Sequence, residues 1–326
     1  MPDSERRMIL MKLSHTFSVI IPTLNASQVW SRMEEGLKKQ RMRPHRILIV
    51  DSESNDGTAE LASRAGFEIV SIPRHTFNHG GTRSLAASLA LEDGILVYLT
   101  QDCILANEDS LETLLSAFSE PQVGAAYGRQ LPHLGARPIE AHARNFNYPP
   151  ESDLRSLESR QRLGFKAAFI SNSFAAYRRS ALEAVGGFPS DVIFGEDTVT
   201  AARMLVEGWK IAYVAEAEAY HSHTYSWRQD FRRYFDIGVL HARESWMIKT
   251  FGTTGGEGSR FVFSELAYLW PKYAWLIPSA LIRTAAKFAG YRLGLIEARL
   301  SPRLKCHLSM HRTFWRSGST ARQPSR

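Results

Sequence analysis

The feature that most constrains this chain is the alternation of short apolar runs with helical patterns through its first half. Phe17 to Pro22 (FSVIIP), Arg46 to Asp51 (RILIVD), Phe67 to Ile72 (FEIVSI), Ile95 to Thr100 (ILVYLT) and Val123 to Tyr127 have the length and residue types of buried strands. Between them, Trp30, Met33 and Leu37 recur at helical spacing. Asp56-Gly57-Thr58 opens a short helix that Gly66 ends, and Thr82 to Leu91 is alanine-rich and helical. Such alternation predicts βαβ units, hence an α/β fold with a mixed, mostly parallel sheet and helices on both faces.

The second half is less regular. Arg137 to Arg160 reads as a polar excursion or loop, Thr198 to Glu207 as a helix and Lys210 to Val214 as a strand. Trp227 to Lys249 is a long helical candidate rich in aromatic and basic residues, and Phe251 to Gly258, with four glycines, reads as a linker. The expected division is an N-terminal extension over 1–15, an α/β domain over 16–250 and a basic, apolar helical extension over 251–326.

Composition excludes several classes. With 44% hydrophobic and 22% charged residues among 326, the chain is too apolar to be disordered. Two cysteines, Cys103 and Cys306, make no disulfide scaffold and no zinc-type Cys pair. No run reaches the 18 or so apolar residues of a spanning helix, and Met8 to Met11 is too short for an export signal. A cytoplasmic protein is expected. From Leu266 onward, eleven Lys or Arg face one acid, Glu297, so the net charge of +7 belongs to the tail. Such a segment seeks phosphate, of nucleic acid or of an anionic lipid surface.

In an open parallel sheet, ligands bind beyond the carboxyl ends of the strands. Thr23 and Asn25 stand after the first strand, Asp51, Ser54 and Asp56 after the second, and Gln101 and Asp102 after the fourth. Each alone reads as a turn or cap residue; together they predict one polar crevice. The glycine fingerprint of dinucleotide enzymes and the phosphate loop of NTPases are both missing. A nucleotide would then be held by an acid on its base or ribose, a role that suits Asp51. A metal would take its phosphates, a role that suits Asp102.

The segments VIIPTLNA (Val19 to Ala26), IVDSESNDGT (Ile49 to Thr58), LTQDCIL (Leu99 to Leu105) and FGEDTVTAARMLVEGWKIAY (Phe194 to Tyr213) resemble glycosyltransferase family 2, with the GT-A fold. FNHGGTRSLA (Phe77 to Ala86), AYGRQLP (Ala126 to Pro132) and HSHTYS (His221 to Ser226) look like its rhamnosyltransferase branch. The resemblance implies inverting transfer from a nucleotide sugar, dTDP-L-rhamnose, to a lipid-linked glycan of O-antigen type at the inner membrane face. It implies Mg²⁺ or Mn²⁺ as cofactor. Around the nucleotide sugar it implies Thr23, Asn25, Asp51, Ser54, Asp56, Arg83, Gln101, His79 and Arg129. Asp102 matches the last residue of the family's Asp-x-Asp metal motif, whose first Asp is here Thr100, so His221 or His223 is expected to supplement it. Glu196-Asp197 matches the acceptor-side pair, with Asp197 as base and Glu196 beside it. The same two acids also suit the N-terminus of a helix, where its dipole favours them.

Other donors, UDP-galactofuranose or UDP-N-acetylglucosamine, and a non-catalytic sugar-nucleotide binder are the rival readings. No nucleic-acid motif is present, and the front portion, net −3, argues against nucleic acid as partner. The tail is expected to lie on an anionic membrane surface; the competing expectation packs it on the domain or into a homodimer.

Overall fold

The computed structural model describes residues 17–90, 94–253 and 256–316; the expected extension over 1–15 lies outside them. Among the described residues, nine strands form one sheet: β1 (Phe17–Thr23), β2 (Arg46–Asp51), β3 (Glu68–Ser71), β4 (Ile95–Leu99), β5 (Ile104–Leu105), β6 (Val123–Leu131), β7 (Asp153–Arg155), β8 (Phe174–Arg178) and β9 (Lys210–Tyr220). The order is β3-β2-β1-β4-β8-β6-β9-β5, with β7 also on β9. The run β3-β2-β1-β4 is parallel. β8 then enters antiparallel to both β4 and β6, and β6 pairs parallel with β9.

The parallel strands are apolar throughout because both faces are covered. Ile20, Leu48 and Val50 point into one hydrophobic layer; Val19, Ile21 and Ile49 point into the other. Trp30, Met33 and Leu37 anchor the helix Ser27–Lys38 in that second layer, as their spacing predicts.

Three segments differ from expectation. The polar stretch after Arg137 holds the helix Pro138–Asn147, started by a proline in its first turn and packed through His142 against the rings of Phe261 and Tyr268. The strand β8 (FAAYR) is central and buried, its alanines set between covering layers, so it shows neither alternation nor a β-branched run. Trp227 to Lys249 is two helices, Trp227–Arg243 and Ser245–Phe251.

Past residue 256 the chain forms the helices Glu257–Tyr273 and Ile277–Leu295. The latter packs against Trp227–Arg243 backbone to backbone, with glycines at the contact. A Cβ on Gly290 or Gly294 would run into the carbonyl oxygens of Phe231 and Phe235. Ala280, Arg283, Lys287, Gly290 and Gly294, spaced by three or four, form the inward stripe. Leu281, Ala285, Phe288, Arg292 and Leu295 form the outward one, exposed although mostly apolar. No helix among the described residues is long and apolar enough to cross a membrane.

Candidate active site

Strand order reverses at β1, with β2 on one side and β4 on the other, so a crevice opens beyond their carboxyl ends. On the β2 side, Asp51 is only 2% exposed. Its carboxylate accepts hydrogen bonds from Thr23 Oγ1 (2.9 Å), Ser54 N (2.9 Å) and Ser54 Oγ (2.6 Å). Ser54 Oγ in turn accepts from Asn25 N at 2.8 Å. Asn25 and the neighbouring Glu53 both have left-handed backbone, at φ 51° and 54°, a strain that clusters at functional loops. Asp56 accepts from Ser27 N, Thr58 N and Thr58 Oγ1, and these bonds hold its carboxyl below the usual range. It ties the starts of two helices together. Gln101 is likewise engaged, accepting from Leu24 N at 2.8 Å and donating to Leu24 O at 3.2 Å. It locks the β4 loop to the β1 loop.

On the β4 side lies a cavity of about 950 Å³. Asp102, His221 and His223 meet on its wall, with one ligand atom of each within 4.8 Å of the others. His221 Nε2 stands 3.4 Å from Asp102 Oδ1, and His223 Nδ1 3.6 Å from Oδ2. Burial pushes the Asp102 carboxyl up, but the two histidines beside it outweigh that and hold it well down. Burial, with His221 alongside, pushes His223 down to about 4, so its imidazole is neutral and able to ligate. Behind them, His221 Nδ1 donates to Gln130 Oε1 at 2.9 Å, leaving Nε2 with its lone pair. One carboxylate and two imidazoles so oriented fit a divalent cation.

The same cavity is lined by Glu196 and Asp197, at the N-terminus of the helix Glu196–Val206. Glu196 Oε1 pairs with Arg83 Nη1 at 2.9 Å, both side chains buried. Asp197 Oδ1 accepts from Thr198 N (2.7 Å) and Oδ2 from Asn172 N (3.1 Å). Burial, then the charge of Glu196, raises the Asp197 carboxyl to about 6. Burial would also raise Glu196, but Arg83 dominates and holds it below its ordinary value. Adjacent acids thus have opposite tendencies: one stays ionised and paired, while the other exchanges its proton near neutrality, as a general base would have to.

Of the residues predicted from sequence, His79, Arg83, Asp102, Glu196, Asp197, His221 and His223 line the cavity. Thr23, Asn25, Asp51, Ser54, Asp56 and Gln101 form the neighbouring cluster outside it. Arg129 belongs to neither: it donates to Tyr148 O and pairs with Glu218 at 3.3 Å. His79 does not cap its helix, a task done by Asn78 through Gly81 N, and packs against His311 at 5.2 Å. Sequence reasoning missed Asn172, Arg144, Arg233 and His311, all on the cavity wall. They come from an unpredicted helix, a loop before an unpredicted strand, the middle of a long helix and the distal tail, and no local motif marks them.

The family model for glycosyl transferase family 2 matches residues 18–186. The chain belongs to glycosyltransferase family 2. It is 46% identical to the O-antigen chain rhamnosyltransferase WbaN of Salmonella anatum, over 92% of this chain and 96% of that protein. It is 45% identical to the O-antigen chain rhamnosyltransferase RfbN of Salmonella typhimurium, over 91% and 95%. Among solved structures, the mannosyltransferase PcManGT of Pyrobaculum calidifontis, in complex with GDP-Man and Mn²⁺, superposes with a TM-score of 0.54 at 20% identity. That match covers 94% of this chain and 87% of the other and speaks for the shared GT-A fold. In this family 2 enzyme the mixed sheet with helices on both faces is thus the expected GT-A arrangement, extended by C-terminal helices.

Proposed function

We propose that this enzyme is an inverting rhamnosyltransferase. It moves L-rhamnose from dTDP-L-rhamnose to a hydroxyl of a lipid-linked or polysaccharide acceptor in O-antigen synthesis. The observation that carries the reading is one cavity lined both by the cluster of Asp102, His221 and His223 and by Asp197. The resemblance over the whole length of two O-antigen rhamnosyltransferases supports the sugar.

In this reading Asp51, which keeps acceptor capacity on Oδ2, takes the base or ribose, with Thr23, Ser54 and Asn25 holding its loop. Asp102, His221 and His223 would hold Mn²⁺ or Mg²⁺, and the cation would act as a Lewis acid on the leaving diphosphate. Arg144 and Arg233 line the same cavity and lower the pKa of His223 by their charge. They are placed to balance phosphate charge. Asp197 takes the proton of the acceptor hydroxyl as its oxygen forms the bond to the anomeric carbon, and the carbon–oxygen bond to the diphosphate breaks on the opposite face. One carboxylate suffices because no covalent intermediate forms. Arg83 holds Glu196 in place, and the charge of Glu196, added to burial, keeps the base beside it basic.

The enzyme works at the inner face of the cytoplasmic membrane, attached by the outward stripe of the C-terminal helices. The test is thermal shift with dTDP-L-rhamnose, UDP-galactofuranose, UDP-N-acetylglucosamine and UDP-glucose in the presence of Mn²⁺. The dTDP sugar should give the largest shift, since selective binding to the native state stabilises it. A larger shift with any UDP sugar rejects the rhamnosyl assignment.

A further inference from the structure

The cavity does not stop at the catalytic side chains. Its outer part is built by the C-terminal helices, with Phe261, Tyr273, Trp275, Leu276, Ser279, Arg283 and Lys287 in its wall. Leu276, Ser279, Arg283 and Lys287 follow at spacings of three and four, one face of a helix. Ser279 to Lys287 spans about 12 Å of that helix at the standard rise. Trp275, at one end of the stripe, lines the cavity and is also 71% exposed, so the cavity opens there. Tyr273 packs edge-on to Trp275 at 5.8 Å and extends the aromatic mouth.

The two cations of this stripe are in unlike states. Arg283 Nη1 pairs with Asp230 at 2.6 Å, while its buried Nε has no partner. Lys287 has no carboxylate partner among the described residues. Its ammonium lies 5.0 Å from the ring centre of Phe261 and 5.7 Å from that of Tyr234. Glu265 feels its charge but makes no ion pair with it. A half-buried ammonium on two aromatic faces, inside a cavity, is short of an anion.

Resting on the glycosyltransferase reading, we infer that this outer cavity is the acceptor subsite and takes an amphiphile: an apolar chain ended by phosphate or diphosphate. Lys287, aided by the free Nε of Arg283, holds the phosphate, and the chain leaves over Trp275 and Tyr273 toward the exposed apolar stripe. An acceptor so held brings its distal sugar, not its phosphate, to Asp197.

Binding without turnover tests this independently of the donor. Decyl phosphate, below its micelle concentration, is titrated into the full-length protein by calorimetry, with saturating dTDP and a chelator present. It should bind at least tenfold more tightly than decanol or inorganic phosphate. Lys287→Gln should weaken it about tenfold, the scale of one charge-assisted hydrogen bond, and Lys287→Arg should restore it. Trp275→Ser should weaken it as well, and dTDP affinity, measured on each variant, reports that the donor half is folded. Wild-type affinity in Lys287→Gln, equal affinity for decanol, or equal affinity for short-chain phosphatidylglycerol would overturn the inference. Failure of rhamnosyl transfer would leave this measurement untouched.

Discussion

Gln130 holds His221: its amide oxygen accepts from Nδ1 at 2.9 Å, while Nε2 faces Asp102 at 3.4 Å. The bond selects the tautomer in which Nε2 carries the lone pair, as the partner behind a metal-bound histidine does. The same amide is fixed from two further sides, by Arg144 and by Ser171 Oγ. Gln130→Leu should therefore lower Mn²⁺ affinity by about 10- to 100-fold, read by paramagnetic resonance titration. Because two of three protein ligands are imidazoles, Mn²⁺ should bind more tightly than Mg²⁺. Unchanged Mn²⁺ affinity in Gln130→Leu would show that the histidine is not a ligand.

Proton transfer to Asp197 requires its carboxylate. With the carboxyl raised to about 6, kcat should rise with pH through that region and level off above it. Asp197→Asn should lose about 10²- to 10⁴-fold in kcat while dTDP-rhamnose binds as before. A kcat flat from pH 5 to 8 would assign the base elsewhere.

The same carboxyl costs stability. Its value in the fold lies above the ordinary 3.8, so the folded state prefers it protonated. That contribution is fully present below the ordinary value and is lost as pH rises through about 6, a loss on the order of 3 kcal/mol. Asp197→Asn removes it. The hydrogen bond that Asn forfeits to one backbone N–H costs the same at every pH. The Tm of the variant minus that of the wild type should therefore be more positive at pH 8 than at pH 4, by calorimetry. A difference independent of pH would mean that Asp197 is not strained in the fold.

The parallel half of the sheet was legible because each buried strand is a continuous apolar run bounded by turn residues, and β2 falls on the expected Arg46 to Asp51. The seven cavity residues stood in short motifs, six of them at or just beyond element ends and Arg83 inside the helix His79–Leu89. What stayed hidden depends on tertiary context. The strand β8 is alanine and aromatic because layers cover both faces, and β9 continues to Tyr220 with glutamates on its exposed side, where the apolar run had stopped. Asp56 and Gln101 look like ligands in sequence, yet their polar atoms are engaged by Ser27, Thr58 and Leu24. His311 reaches the cavity across most of the chain, and stacks on Phe194 at 5.7 Å.

The two C-terminal glycines report how the tail is seated. Gly294→Leu places a side chain where the backbone of Phe235 already stands, so the helix Ile277–Leu295 must move off Trp227–Arg243. Overpacking of this kind costs about 1–3 kcal/mol or more, and Tm should fall by several degrees. Because Arg283, Lys287 and His311 sit beyond that contact, acceptor affinity should fall further than donor affinity. Equal losses of both would mean that the tail only stabilises the domain.

Membrane attachment must be tested without cutting the tail, since removing it would also remove part of the cavity wall. The outward residues supply the means: Trp270 is 72% and Phe288 67% exposed, with Leu281 and Ile282 also uncovered and Lys272, Arg292 and Arg299 exposed among them. Arg283 and Lys305 are spent on Asp230 and Glu297, so fewer cations face outward than the tail's composition suggests. At about 1 kcal/mol per basic residue near an anionic surface, the three that stand among the rings suffice for reversible binding only if the rings also insert, with exposed Arg303, Arg312 and Arg316 adding attraction farther along the tail. Both contributions are therefore required. In flotation, the enzyme should rise with anionic vesicles at low salt and stay behind with neutral ones or in high salt. Trp270→Ser combined with Phe288→Ser should abolish flotation while Tm stays within a degree or two, because neither ring is buried. Flotation retained by that variant, or failure of the wild type to float with anionic vesicles, would reject the attachment.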